Sequence, residues 1–449
     1  MANGESPIHS FPADLAAQVA NAWNEFIAGE YTPPPLPEVS QLKSLLEIAY
    51  FAGMETDEAR PLRFMLCCTR NSDPITRQRE AAPVESWEFT SDRPFTIQEI
   101  RRLAAVTNLD SSAIWIRFSD DAGDKLSIRG LVNLGRSWSV ARNAFAYHYE
   151  PLPHALLVRV VAPGRLVIYQ SEYCIATLEG GTLRVGEPRM AWMDLLGADP
   201  LFKEGHDILR NKIAHPLHEH PREWHGFEWL AYQNTVLAVV NGIHLGGHGG
   251  ALILKSPSCD LIQNDLVRIK YRLSQHSDHL KKHFVAFMNL RHKYLRHKFG
   301  DMIWLSEGKE KTPPSKQEIE LTSFLLRESQ QKLAQACSFI GGFAGTDGAV
   351  VLNNDLTVEG FGSEIVLDKV KPAKAFEVDN PMEKEGRREL DSEQKGMRHR
   401  SAIRLCATEP RVAIFVASQD GGISLVWNKD GDVCFKSGIT TTNVNMVLA

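Results

Sequence analysis

The sequence predicts two or three folded units of mixed α and β structure, and three observations carry that expectation. The chain has 449 residues, about three times the ~150-residue size of a single domain. Hydrophobic residues at 43% and charged residues at 23% match globular proteins and exclude a largely disordered or fibrous chain. The apolar spacing also switches repeatedly between helical steps of three and four and the two-residue step of strands.

Leu15, Val19, Trp23 and Phe26 sit at helical spacing and predict a first helix over 13–28. The run TPPPLP, residues 32–37, then forces extended backbone. A second helix is expected over 42–54 and a strand over 62–68. After the polar stretch 71–82 come a helix at 97–105 and strands at 113–118, 126–134, 155–161 and 165–170. This pattern is α+β, one regulatory domain or two small ones. The chain turns polar and His-rich near 200–225, so the boundaries are drawn at 1–205, a linker at 206–225, and 226–449. Beyond the linker an apolar helix at 227–241 is expected to stop at Gly242, before a buried strand at 249–254 (GGALIL). A basic helix at 274–299 and another helix at 318–337 follow.

Fifty basic and 55 acidic residues give a net charge of −5, so no protein-wide field draws the chain to nucleic acid or anionic lipid. Seven scattered cysteines without a CxxC pair read as reduced, buried thiols. The N-terminus lacks a charged and apolar leader, and no run approaches about 18 apolar residues, which predicts a cytoplasmic protein without membrane partners.

The chemistry concentrates after residue 345. GTDGAVVLNNDLTVEGFG places Asp347 at a strand entrance, where Gly348 lets a ligand approach the backbone and a carboxylate can hold a metal. GMRHRSA, residues 396–402, reads as a tight turn whose two guanidiniums suit phosphate oxygens. Strands at 411–418, 423–427 and 432–436 follow, and Asp420 at the mouth of the first hairpin is placed to share a metal or a ribose. Together these features suggest triphosphate chemistry. Each alone has an ordinary reading as a turn or a solvated face.

In this order, GGALIL, DGA, RHR and a strand ending in serine, residues 225–445 resemble the diadenylate cyclase family. The N-terminal half, with PLPEVSQLKSLLEIAYFAG and ETDEARPLRF, looks like the presumed DACNV sensor domain joined to some of those cyclases. The resemblance implies an α/β cyclase domain, a central mixed sheet flanked by helices, behind an α+β sensor-like domain. It implies condensation of two ATP into cyclic di-AMP, with Mg²⁺ or Mn²⁺ and with two cyclase domains face to face in a homodimer or higher oligomer. Asp347 would hold the metal, and Arg398, His399 and Arg400 the phosphates. Gly348, Ala349, Gly362, Gly396, Met397, Ser418 and Asp420 would lie along the nucleotide. The sensor's ligand has no motif that names it.

The sequence departs from the family at Thr346, where the family often has His, at Met397, where it has Thr, and at Gln419, where it has an acid. Insertions near 274–317 and 368–395 are longer than the family's usual spacing. These departures leave open another nucleotide or a linear or hetero-cyclic product. They also leave open an inactive nucleotide-binding sensor, and the basic stretch with His276, His279 and His283 leaves open a nucleic-acid-binding regulator. The histidines at 206, 215, 218, 220 and 225 read as linker residues ahead of a metal site. Trp192, Trp224 and Trp229 read as core, and GGHGG as a flexible turn.

Overall fold

The computed structural model describes residues 9–24, 32–57, 60–70, 84–109, 111–119, 125–134, 154–171, 173–185, 199–213, 222–246, 249–274, 277–307, 314–366, 368, 374–378, 387–418 and 422–439. The chain divides into two compact units, the first chiefly up to Glu187 and the second chiefly Pro188–Thr441. The expected fold class, two α/β and α+β bodies, each with a mixed sheet and helices, is the one observed.

The first unit contains α1 (Pro12–Ala22), α2 (Val39–Met54), a short hairpin of β1 (Thr56–Asp57) and β2 (Arg60–Pro61), β3 (Phe64–Arg70), β4 (Glu85–Pro94) and α3 (Ile97–Ala104). It continues with β5 (Ser112–Phe118), β6 (Ser127–Asn133), β7 (Leu156–Ala162), β8 (Arg165–Gln170), β9 (Tyr173–Glu179) and β10 (Thr182–Val185). Eight of these strands form one sheet in the order β10-β9-β8-β7-β3-β5-β6-β4, with β3 and β5 parallel. Alternation along β3 and β5 turns Phe64, Leu66, Cys68, Ile114 and Ile116 toward Leu15, Val19, Leu42, Leu45, Leu46 and Ile100 of the three helices. Met65, Cys67 and Trp115 occupy the opposite face. The proline run earns its extended form: the Trp23 indole N–H donates to the Pro34 carbonyl at 2.8 Å.

The second unit opens with α4 (Pro200–Arg210) and α5 (Arg222–Leu245). The expected linker over 206–225 is thus partly helical, and the unit begins before it. Asp199 caps α4 by accepting the Leu201 N–H at 2.9 Å, Pro200 opens its first turn, and Leu201, Phe202 and Leu209 are buried at helical spacing. The polar residues between them hide that spacing in the sequence. The helix expected to stop at Gly242 runs on to Leu245. Gly242 serves contact, not termination. A Cβ on Gly341 would lie 2.6 Å from the Gly242 Cα, so the two glycines let α5 cross α7 (Lys316–Gly342) at backbone distance.

The rest of the unit is β11 (Gly250–Lys255), β12 (Val267–Arg272), α6 (His279–Glu307), the helix α7, β13 (Ala349–Asn353), β14 (Val358–Ile365), β15 (Ala375–Glu377), β16 (Arg388–Leu390), α8 (Met397–Thr408), β17 (Val412–Ala417), β18 (Ile423–Lys429) and β19 (Asp432–Lys436). The sheet order is β12-β14-β13-β11-β17-β18-β19-β15-β16. The insertion over 274–317 contributes α6 and the start of α7. The described part of 368–395 adds the edge strands β15 and β16. Alternation buries Ala251 and Ile253 of β11 and Val351 of β13 against Ala402, Ile403 and Cys406 of α8, while α5 packs on β11. All seven cysteines are free, six of them buried, and burial pushes the Cys67 thiol up to about 12. Among the described residues no helix is long and apolar enough to cross a membrane.

Candidate functional site

Strand register sets the geometry of the site. Ala349 of β13 stands opposite Ala251 of β11, and Gly250 stands opposite Ala417 of β17. The residues just before β13 and just after β17, Asp347 and Ser418, therefore share one end of the sheet on either side of β11. The helix α8, which starts at Met397, brings a third element there.

A 3-10 turn over Phe343–Gly345 leads into β13, and the Thr346 hydroxyl donates to the Phe343 carbonyl at 2.7 Å. That bond holds Thr346 in the turn and leaves the Asp347 carboxylate fully exposed. Gly348 has φ +130, and a Cβ there would lie 2.5 Å from the Gly362 carbonyl carbon. Gly362 has φ +63, and a Cβ there would lie 3.1 Å from the Tyr271 ring. The entry to β13 is thereby packed tightly against the β14 backbone, forming a floor beside Asp347. Next to that floor Tyr271, Phe361 and Phe343 form a stack with centroids 4.9 and 4.5 Å apart. Ala349 is buried in the core under α8.

The GMRHR segment is a helix start, where a tight turn was expected. Gly396 is its N-cap and supplies no side-chain cap, so the first-turn N–H groups are left for another acceptor. A four-residue polar run carries no apolar spacing, which is why it reads as a turn. Met397 is exposed. Arg398 reaches Asp347, its Nη2 lying 3.9 Å from the carboxylate Oδ1. The fold thus brings together DGA and RHR, about fifty positions apart in the chain.

The other two residues of RHR are turned elsewhere. Arg400 donates to Glu393 at 3.1 Å, and Arg404 reaches the same carboxylate at 3.6 Å. His399 packs its ring edge-on against Phe435 at 5.6 Å, and its Nε2 is buried with no hydrogen-bond partner among the described residues. Burial, and then the Lys395 ammonium, lower its affinity for a proton. His399 is a neutral wedge. Ser418 closes the β17–β18 loop by donating its N–H to the Gly422 carbonyl at 2.8 Å. Asp420 lies outside the described residues.

Among the described residues no group of three or more His, Cys, Asp or Glu is arranged to hold a metal. The chemistry of Asp347 fits Mg²⁺ or Mn²⁺ in one way, a single exposed carboxylate beside a phosphate-binding helix start, because such ions complete their shell with substrate phosphates and water. The other sequence candidates disperse. His215, His218, His220, His276 and Trp192 lie outside the described residues, as do the side chains of Trp224 and His225. His206 packs on Trp229 with centroids 5.1 Å apart, and burial lowers its proton affinity. In the basic helix α6, Lys281 pairs with Asp355 at 2.6 Å and Lys282 with Asp278 at 2.9 Å, while Arg291 and His292 are buried.

Sequence reasoning passed over Glu393, the anchor of Arg400, and the Gly348–Gly362 contact. The alternating VRIKYR of β12 was a usable signal for the strand beside them.

The model of a family described as the probable sensor domain DACNV, an N-terminal sensor domain of diadenylate cyclases, matches residues 31–133. The match runs from before α2 to the end of β6 and contains none of the site residues. No curated protein matches the chain.

Proposed function

We propose that the second unit is a nucleotidyltransferase that condenses two ATP into cyclic di-AMP with release of two pyrophosphates, and that the DACNV-containing first unit regulates it. The observation that carries this reading is the meeting of Asp347 with Arg398 at the open N-terminus of α8.

Arg398 and the unfilled N–H groups of α8 bind phosphate oxygens and oppose the charge that builds on the α-phosphate. Mg²⁺ or Mn²⁺, held by Asp347 and the phosphates, would supply charge neutralisation and lower the pKa of the attacking ribose hydroxyl. The tight Gly348–Gly362 packing fixes the backbone that carries Asp347. Neutral His399 and the Arg400–Glu393 pair fix the helix end that presents Arg398. One site holds one ATP, and each 3′-hydroxyl attacks the other nucleotide's α-phosphate. Two copies must therefore face each other, which makes assembly the natural point of control. A binding-only role has one observation in its favour: Thr346 spends its hydroxyl on Phe343 and Met397 offers none, so two side chains near the nucleotide cannot donate to it.

The test is incubation of the full-length protein with each nucleoside triphosphate and Mg²⁺ or Mn²⁺, with products read by mass spectrometry beside Asp347→Asn. The proposal expects a cyclic dinucleotide from the parent protein and none from the variant. Nucleotide binding without product, under every metal and nucleotide tried, would favour the binding-only role.

A further inference from the structure

The first unit has a cavity of its own, about 430 Å³, between one face of α2 and the chain that enters α3 and β6. Its origin is legible in α2. Leu42, Leu45, Leu46 and Ala49 fill the core, but the neighbouring face carries Ser40 and Ser44, one turn apart, where larger side chains would close the gap. Ile48, Phe95 and Leu126 supply apolar wall, and the volume falls within the roughly 300–1,000 Å³ of small-molecule pockets. All of its described lining residues lie inside the stretch matched by the DACNV model.

Besides the neutral carboxamide of buried Gln41, the polar groups of the described lining define a charge preference. Lys125 is exposed and makes no ion pair with any described residue. Ser44 donates to the Ser40 carbonyl at 3.1 Å, while the Ser40 hydroxyl keeps its own proton. Thr96 accepts the Glu99 N–H at the start of α3, so its hydroxyl proton is also left to donate. No acidic residue stands among the described lining residues. Among the described lining residues, one ammonium and two hydroxyl donors set against apolar wall favour an anion over a cation.

We propose that this cavity is the sensor's ligand site and that it takes a small organic anion with an apolar body, its charged end at Lys125 and Thr96. The proposal rests on the reading of the first unit as the sensor, and it does not depend on the chemistry at Asp347.

The probe is 8-anilinonaphthalene-1-sulfonate, an aromatic sulfonate, titrated by fluorescence into the full-length protein. Saturable binding at one site per chain is expected. Ser44→Trp, which fills the cavity, should abolish it, and Lys125→Glu should weaken it at least about tenfold, the scale of one charge-assisted hydrogen bond. Lys125 is exposed, so its variant tests the site even if the tryptophan disturbs folding. Asp347→Asn should bind the probe as the parent does, which separates failure here from failure of the cyclase reading. Absence of saturable binding, or binding unchanged in both cavity variants, would overturn the site. Loss in Ser44→Trp with no change in Lys125→Glu would overturn the anionic class.

Discussion

Two stretches of the second unit are rich in basic residues, and the structure treats them in opposite ways. In α6 three cations are spent, Lys281 on Asp355, Lys282 on Asp278 and Arg291 in the interior, while Lys293 stays exposed. At the start of α8, Arg398 stays exposed beside a carboxylate at the loose distance of 3.9 Å, on a helix end with no side-chain cap. A count of lysines and arginines ranks α6 first, whereas charge left available to a ligand ranks α8 first. A basic run becomes a binding surface only where the fold leaves its charges unneutralised. The pairs made by Lys281 and Lys282 weigh against the nucleic-acid reading at the first turn of α6.

Replacing one cation in each stretch separates the two by the largest margin. Arg398→Ala is expected to lower turnover of ATP about a hundredfold, the scale of a charged donor lost from a phosphate site. Lys281→Ala should leave turnover within about twofold and cost about 1 kcal/mol of stability, as a half-buried ion pair does. Steady-state kinetics and urea unfolding of the two variants check both. Equal kinetic losses would erase the distinction.

The contrast between the two stretches was only half legible in the sequence. DGA and RHR stood out as residue types, and GGALIL and the three C-terminal strands could be read from runs of apolar residues. The helical character of GMRHR could not, because its cap is a glycine and its first turn carries three ionisable residues and no apolar spacing. Nor could the pairing of α6, whose partners Asp355 and Glu228 lie far away in the chain. In the first unit β4 escaped because it is an edge strand whose residues are almost all exposed, so no alternation marks it. Gly242 was misread because a glycine that ends a helix and a glycine that lets two helices touch look the same in sequence.

The floor beside Asp347 sharpens the comparison from the backbone side. Gly348→Ala places a methyl group 2.5 Å from the Gly362 carbonyl carbon at φ +130, a conformation that L side chains rarely adopt. A loss of about 2–3 kcal/mol in unfolding free energy is expected, together with loss of turnover. Unfolding curves for Gly348→Ala against Gly396→Ala, where a Cβ meets nothing within 4 Å, separate close packing from a general cost of replacing glycine.

The smallest effect concerns His399. Its proton affinity in the folded state lies below the ordinary imidazole value of 6.5, through burial first and Lys395 second. The unfolded chain therefore binds the proton more readily, so the contribution is full above pH 6.5 and is lost as the pH falls through the folded value. His206 and His283 shift in the same direction, so His399→Phe should flatten the acid limb of Tm against pH only in part. An unchanged acid limb in that variant would show that His399 is not held neutral.

If Asp347 and Arg398 belong to one nucleotide site, a double-mutant cycle on ATP turnover shows it. Residues that act as a unit are non-additive. Asp347→Asn combined with Arg398→Ala is expected to lose little more turnover than the worse single variant. Losses that multiply, or an Arg398→Ala protein as active as the parent, would contradict it.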